Sequence, residues 1–268
     1  VTSPQSPRQL PCASRQSVDG PIRLLCLPYA GGSAALFRDW PQMMPDWVEV
    51  VPVHLRGRGV RHAQAASHTW SALLDDLLEQ VMPALRARGE GRYAIFGHSM
   101  GALVGLELAH ALRARLGAGP AWFGASGSLA PALRTRETHW LDCNEATFLA
   151  EVRRLGGMPD SLLDNQEFME LVSPMLRADF HLCGTYDPPS RLPLDCPLLA
   201  VNGVDDARCM VPDNEPAWAR ETTGSFAAAH LPGGHFFINT HRPALIGQVL
   251  THLGKALSAP AAVTRACA

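Results

Sequence analysis

Tyr93-Ala-Ile-Phe-Gly-His-Ser-Met-Gly-Ala102 runs a short apolar strand directly into Gly97-His98-Ser99-Met100-Gly101 and then into helical spacing at Leu103, Leu106, Leu112 and Leu116. A serine on such a strand-to-helix turn is a nucleophile elbow. The turn needs small residues two positions either side of the serine, because side chains there would collide with neighbouring backbone, and Gly97 and Gly101 meet that need. The Ser99 hydroxyl is thereby aimed into a cleft, with the Met100 amide at the positive end of the following helix and its side chain helping to line the pocket. His98 is next to the serine but leaves the elbow in the wrong direction to act as its base, and is read as structural.

Outward from the elbow, apolar runs at Ile22-Arg-Leu-Leu-Cys-Leu27, Val48-Glu-Val-Val-Pro-Val53, Ala121-Trp-Phe-Gly-Ala125, Pro197-Leu-Leu-Ala-Val-Asn202 and Phe226-Ala-Ala-Ala-His-Leu231 read as further strands. Few alternate cleanly, as expected of a sheet covered on both faces. Trp70, Leu73, Leu74, Leu77, Leu78, Val81, Met82 and Leu85 form one helical stripe, and Pro243 opens a last helix through Leu245, Ile246, Val249, Leu250 and Leu253. The alternation predicts α/β architecture with a mostly parallel central sheet flanked by helices. One stretch, about 129–191, breaks it with two helical patterns and no convincing strand. It is expected to be a helical lid insertion over the sheet's carboxyl edge, the alternative being two ordinary packing helices.

A serine hydroxyl needs an imidazole to take its proton and a carboxylate to hold that imidazole in the right tautomer. Asn202-Gly-Val-Asp-Asp206 supplies two carboxylates after a late strand, and Leu231-Pro-Gly-Gly-His-Phe-Phe-Ile238 a histidine before the last helix. His235 is favoured among the 11 histidines, because glycines let its loop approach the elbow and the phenylalanines after it can anchor it. His230 and His241 are weaker candidates. Asp206, three residues beyond Gly203, is favoured as the acid, and Asp205 is the alternative. Leu27-Pro-Tyr-Ala-Gly-Gly-Ser-Ala34 follows the first strand, and the Ala30 amide is assigned as the second oxyanion donor beside Met100. The same glycines could cradle a phosphate, but the Walker lysine and spacing are absent. Serine, acid and histidine in that order predict an α/β-hydrolase fold.

Length and charge narrow the rest. The 268 residues suffice for a single domain, expected over 21–257, and the Ser-, Pro- and Gln-rich stretch 1–20 and the end 258–268 are expected to be flexible tails. With 23 basic against 25 acidic side chains and a net charge of -2, no basic surface for nucleic acid is expected. No apolar run approaches the roughly 20 residues of a membrane span, and the start lacks a signal-peptide pattern, so a cytoplasmic protein is expected. Seven cysteines without Cys-x-x-Cys spacing suggest neither disulfides nor a thiolate metal site, and a monomer is the default.

Taken together, Pro28-Tyr-Ala-Gly-Gly-Ser33, Gly57-Arg58 before Arg61, Phe96-Gly-His-Ser-Met-Gly101, Leu176-Arg-Ala-Asp-Phe180 followed by Tyr186, and Pro232-Gly-Gly-His-Phe-Phe237 resemble the type II thioesterases that accompany polyketide synthases and nonribosomal peptide synthetases. The resemblance covers about 21–253. It implies an editing enzyme that hydrolyses stalled acyl groups from the phosphopantetheine thiol of acyl-loaded carrier proteins, with Ser99, Asp206 and His235 as the triad and Ala30 and Met100 as oxyanion amides. It implies no cofactor of the enzyme's own and no metal, the phosphopantetheine arm belonging to the substrate. The chain departs from the family pattern at Arg56, where proline is usual, at His54, and after Asp206, where Ala207-Arg-Cys-Met-Val211 lacks the usual proline. Other readings are a medium-chain fatty acyl thioesterase or acyltransferase, which shares the acyl-serine, and a noncatalytic carrier-protein binding module.

Overall fold

Ile22–Leu27 forms β1, the first strand of a six-stranded sheet, and every one of its residues is buried. Its side chains alternate between faces as strand geometry requires: Leu25 and Leu27 enter one apolar cluster, Ile22, Leu24 and Cys26 the other. The structure, a computed structural model, describes residues 20–86 and 92–258. The expected tails therefore fall outside the described residues except at Gly20 and Ser258.

The chain continues through β2 (Val48–Pro52), α1 (Trp70–Arg86), β3 (Tyr93–His98), α2 (Met100–Leu116) and β4 (Trp122–Ser126). After α3 (Glu145–Leu155), α4 (Asp160–Leu163) and α5 (Gln166–Gly184) come β5 (Leu198–Gly203), α6 (Asn214–Ala219), β6 (Phe226–Leu231), α7 (Phe237–Thr240) and α8 (Arg242–Ser258). The strand order is β2-β1-β3-β4-β5-β6 and every neighbouring pair is parallel. All six expected strands form, with ends displaced by one or two residues. The sheet of the described residues is wholly parallel, where a mostly parallel one was expected.

On one sheet face lie Leu73, Leu77, Leu78, Val81 and Leu85 of α1 with the apolar residues of α2. On the other lie Leu245, Ile246, Val249 and Leu253 of α8 with Phe37 and Trp40 from the segment after β1. α2 is buried along most of its length because it packs on the sheet, on α1 and on α5. That is why its apolar residues encircle it instead of forming one stripe.

The stretch 129–191 holds three helices where two patterns were read, the short α4 lying between the longer two. Asn144 and Asn165 start α3 and α5 by accepting from the amides of Thr147 and Phe168, each at 2.9 Å. These helices own a third apolar cluster, with Trp140, Phe148, Val152, Leu163, Met169, Leu176 and Phe180. Its far end is tied back to α2: Glu107 is bound by Arg191 and accepts the Tyr186 hydroxyl at 2.7 Å.

Candidate active site

β1, β3, β5 and β6 all run in one direction, so the loops leaving their carboxyl ends collect along one sheet edge. Those loops carry Ala30, Ser99, Asp206 and His235. At the end of β3, Ser99 adopts φ 56°, and it is the one non-glycine residue at positive φ among the described residues. Its amide donates to the Ser126 carbonyl at 2.7 Å and its carbonyl accepts from Ala102 at 3.0 Å, which holds the strained turn in place. A Cβ at Gly97 would collide with the Gly101 carbonyl, and one at Gly101 with the Leu27 carbonyl. The second collision shows why glycine is needed there: the elbow packs against the start of the Pro28–Gly32 loop.

His235 Nε2 lies 2.9 Å from Ser99 Oγ, and His235 Nδ1 lies 2.7 Å from Asp206 Oδ2. The carboxylate can only accept, so Nδ1 carries the proton and Nε2 is left to accept from the serine hydroxyl. Asp206 is 4% exposed. Burial pushes its carboxyl up, but the His235 hydrogen bond and charge, the Cys209 thiol and the Arg208 amide together outweigh this and hold it below the usual carboxylate range. Asp205 is exposed; its amide donates to the Gly233 carbonyl at 3.0 Å and so helps pin the histidine loop. His230 pairs with Glu215 and His241 with Thr240, away from Ser99.

His98 is fully buried, with Nε2 donating to the His235 carbonyl at 2.9 Å and Nδ1 accepting from the Ser126 hydroxyl at 2.9 Å. Burial first, and the His235 charge second, push its pKa down to about 3, so it stays neutral and braces the loop that carries His235. Of the two phenylalanines expected to anchor that loop, only Phe237 enters the core. Phe236 faces the cleft, edge-on to Tyr29 at 5.1 Å between ring centroids, and reaches Gly157 between α3 and α4.

The Ala30 and Met100 amides have no acceptor among the described residues, and both residues line a cleft of about 280 Å³ with Ser99 and His235. Much of the remaining wall comes from the helical stretch, including Trp140, Val152, Met158, Leu176 and Phe180. Arg56, one of the departures from the family pattern, shares the buried Asp76 carboxylate with Arg61, at 2.6 Å from each. His54 exchanges two bonds with the Gln80 side chain through its backbone.

The sequence reading missed Cys209, whose thiol touches Asp206 and whose three-residue spacing from it was the available signal. Arg58 and Asp179 both stand in stretches that carry the family resemblance, but their pairing across 121 residues is one that no local pattern reveals. Asp206, Cys209 and His235 are the one group among the described residues with donor atoms close enough to share a metal, all within 4.8 Å. Burial, and then Asp206, drive the Cys209 thiol well above its usual range, and a protonated thiol is a poor ligand.

An elbow serine bonded to an imidazole and backed by a buried carboxylate, above a parallel sheet, defines an α/β-hydrolase with a serine nucleophile. A family model described as Thioesterase domain matches residues 22–253. The chain belongs to that family and, within it, to the type II thioesterases. It is 33% identical to the gramicidin S biosynthesis protein GrsT of Aneurinibacillus migulanus, over 81% of this chain and 83% of that protein. Among solved structures it is similar to the RedJ thioesterase from the prodiginine biosynthetic pathway in Streptomyces coelicolor. That match has TM-score 0.75 and 36% identity, over 94% of this chain and 96% of the other. ClbQ from the colibactin NRPS/PKS pathway aligns with TM-score 0.81 at 29% identity, over 88% of this chain and 98% of the other.

Proposed function

We propose that this thioesterase clears stalled or unwanted acyl groups from phosphopantetheinyl carrier proteins of a polyketide synthase or nonribosomal peptide synthetase. The observation that carries the reading is the unbroken chain Ser99–His235–Asp206 beside two unpartnered amides. Similarity to proteins of gramicidin S, prodiginine and colibactin biosynthesis supports a substrate carried by such a synthase.

In this reading the Ser99 oxygen attacks the thioester carbonyl while its proton passes to His235 Nε2. The carbonyl oxygen becomes an oxyanion facing the Ala30 and Met100 amides. Collapse breaks the carbon–sulfur bond, and His235 returns the proton to the departing thiol. Water then attacks the acyl-serine, its proton passing to His235 and on to Ser99 as the free carboxylic acid leaves. The helical stretch 129–191 acts as the lid of an acyl pocket within one domain. The protein works as a cytoplasmic monomer that meets carrier proteins transiently; no helix of the described residues is long and apolar enough to cross a membrane.

The test compares short acyl groups on a carrier protein, the same groups on coenzyme A, and longer fatty chains. The highest kcat/KM is expected on the carrier, and activity confined to fatty chains overturns the proposal. Folded protein whose Ser99 ignores a serine-directed phosphonate would instead be a noncatalytic carrier-binding module.

A further inference from the structure

Asp179 lies on α5 and is only 2% exposed, yet the reaction described above leaves it unused. Its carboxylate accepts from the Gly31 amide at 2.7 Å and is gripped by both terminal nitrogens of Arg58, with Nη2 at 2.7 Å from Oδ1. Arg58 is 8% exposed and spends further donors on the carbonyls of Arg56 and Gly32, at 3.2 and 3.4 Å. One carboxylate thus joins α5, the loop after β1 and the loop after β2. A buried ion pair is by itself weak evidence of a stabilising role, so its placement calls for another account.

The local backbone supplies one. Gly31 has φ +79°, a conformation that favours glycine, and a Cβ there would stand 2.5 Å from Leu176 Cδ2, which shows how closely α5 approaches this loop. Gly32 donates to the Tyr29 carbonyl at 2.9 Å, closing a turn over residues 29–32. Within that turn the Gly31 amide is drawn toward Asp179, while the preceding amide, that of Ala30, finds no acceptor among the described residues and borders the cleft. The bond to Asp179 fixes the Ala30–Gly31 peptide plane; the adjoining Tyr29–Ala30 plane, which carries the Ala30 amide, is held through the Tyr29 carbonyl by Gly32, so the two bonds together set the turn that presents that amide.

The geometry points to Asp179, held by Arg58, as the positioning residue of the oxyanion loop, so that the Ala30 amide is presented to the reacting carbonyl only while α5 is docked. This rests on the reading of Ala30 as an oxyanion donor and deepens it.

The test uses the full chain with Asp179→Ala, Asp179→Asn and Arg58→Lys, each checked for folding by circular dichroism. Measured are kcat and KM on an acyl-carrier thioester, and the affinity of an alkylboronic acid whose tetrahedral adduct on Ser99 mimics the oxyanion. Loss of an oxyanion donor typically costs about 10²- to 10³-fold, so Asp179→Ala is expected to lower kcat by roughly 100-fold with KM within about threefold. Boronate affinity should fall by the same factor, and the two milder variants should lie between. A pure charge effect runs the other way, since deleting a carboxylate beside a forming anion strengthens boronate binding. Unchanged or stronger boronate binding, or a kcat within about threefold of the parent, overturns the inference. Should Asp179→Ala not fold, amide exchange at Gly31 in the parent decides: strong protection supports the bond, and exchange at an open-loop rate sinks it. An inactive parent, or turnover that survives Ser99→Ala, faults the triad reading instead and is distinguishable from either result.

Discussion

Ser99 is held at φ 56°, where an L-residue is strained, and the bonds from its amide and carbonyl keep it there. The reward is a hydroxyl that stands free of the backbone, 2.9 Å from an imidazole whose tautomer is set by Asp206. The two adjacent carboxylates can be told apart at this scale. Asp206→Asn should lower kcat by about 10⁴-fold, because an amide holds the imidazole in the wrong tautomer, while Asp205→Asn should stay within about twofold. Parallel kcat measurements on the two proteins check this, and equal losses would refute the assignment. His98 separates positioning from titration. Its pKa of about 3, set by burial and then by His235, leaves it neutral throughout the working range. His98→Ala is therefore expected to slow turnover by roughly tenfold through a loosened His235 loop, with the shape of the kcat–pH profile unchanged.

The elements bring these residues together through close backbone approaches. Gly101 brings α2 against the Leu27 carbonyl, and Gly203 brings the acid loop against the Gly233 carbonyl. Val204 and Asp205 then donate to Leu231 and Gly233, so the acid and histidine loops run side by side. Away from the cleft, α1 is tied to the loop after β2 by Asp76, which binds Arg56 and Arg61. Burial pushes the Asp76 carboxyl up, but its bonds to Arg61 and Arg56 outweigh that and hold it below the usual range. A lowered carboxylate stabilises the fold fully above its unfolded pKa and loses that contribution as pH falls through its folded pKa. Asp76→Asn should therefore cost about 1 to 2 kcal/mol near neutral pH, from weakened charge-assisted bonds to Arg61 and to the half-exposed, solvent-screened Arg56. Denaturant unfolding of the two proteins should converge as the solution is acidified below the ordinary carboxylate range. A gap independent of pH would contradict the role given to this pair.

Over the whole molecule, the parallel sheet sets a rigid edge and the helical stretch 129–191 covers it with an apolar cluster of its own. Because those helices form much of the cleft wall, acyl preference should be adjustable without touching the chemistry. Met158 lines the cleft and is only partly buried. Met158→Ala is expected to raise kcat/KM for acyl chains of eight or more carbons relative to acetyl by roughly tenfold, with little loss of Tm. A chain-length panel on carrier-bound substrates measures the ratio, and an unchanged ratio would show that this wall does not bound the acyl chain.

How much was legible beforehand follows from how far each signal reaches along the chain. Strands, main helices, the elbow and the order of serine, acid and histidine are local patterns of burial and turn chemistry, and a reading of the residues found them with ends shifted by a residue or two. Spacing from Gly203 likewise favoured Asp206, the carboxylate that stands 2.7 Å from His235 Nδ1. What sequence could not supply was contact between distant stretches. That Phe236 faces the cleft while Phe237 fills the core, that His98 braces a carbonyl 137 residues away, and that Asp179 reaches an amide 148 residues earlier are all decided by packing. Hydrophobic periodicity records whether a side chain is buried, but not which distant polar group it meets there. That partner exists only once the sheet has aligned the loops and α5 has settled against them.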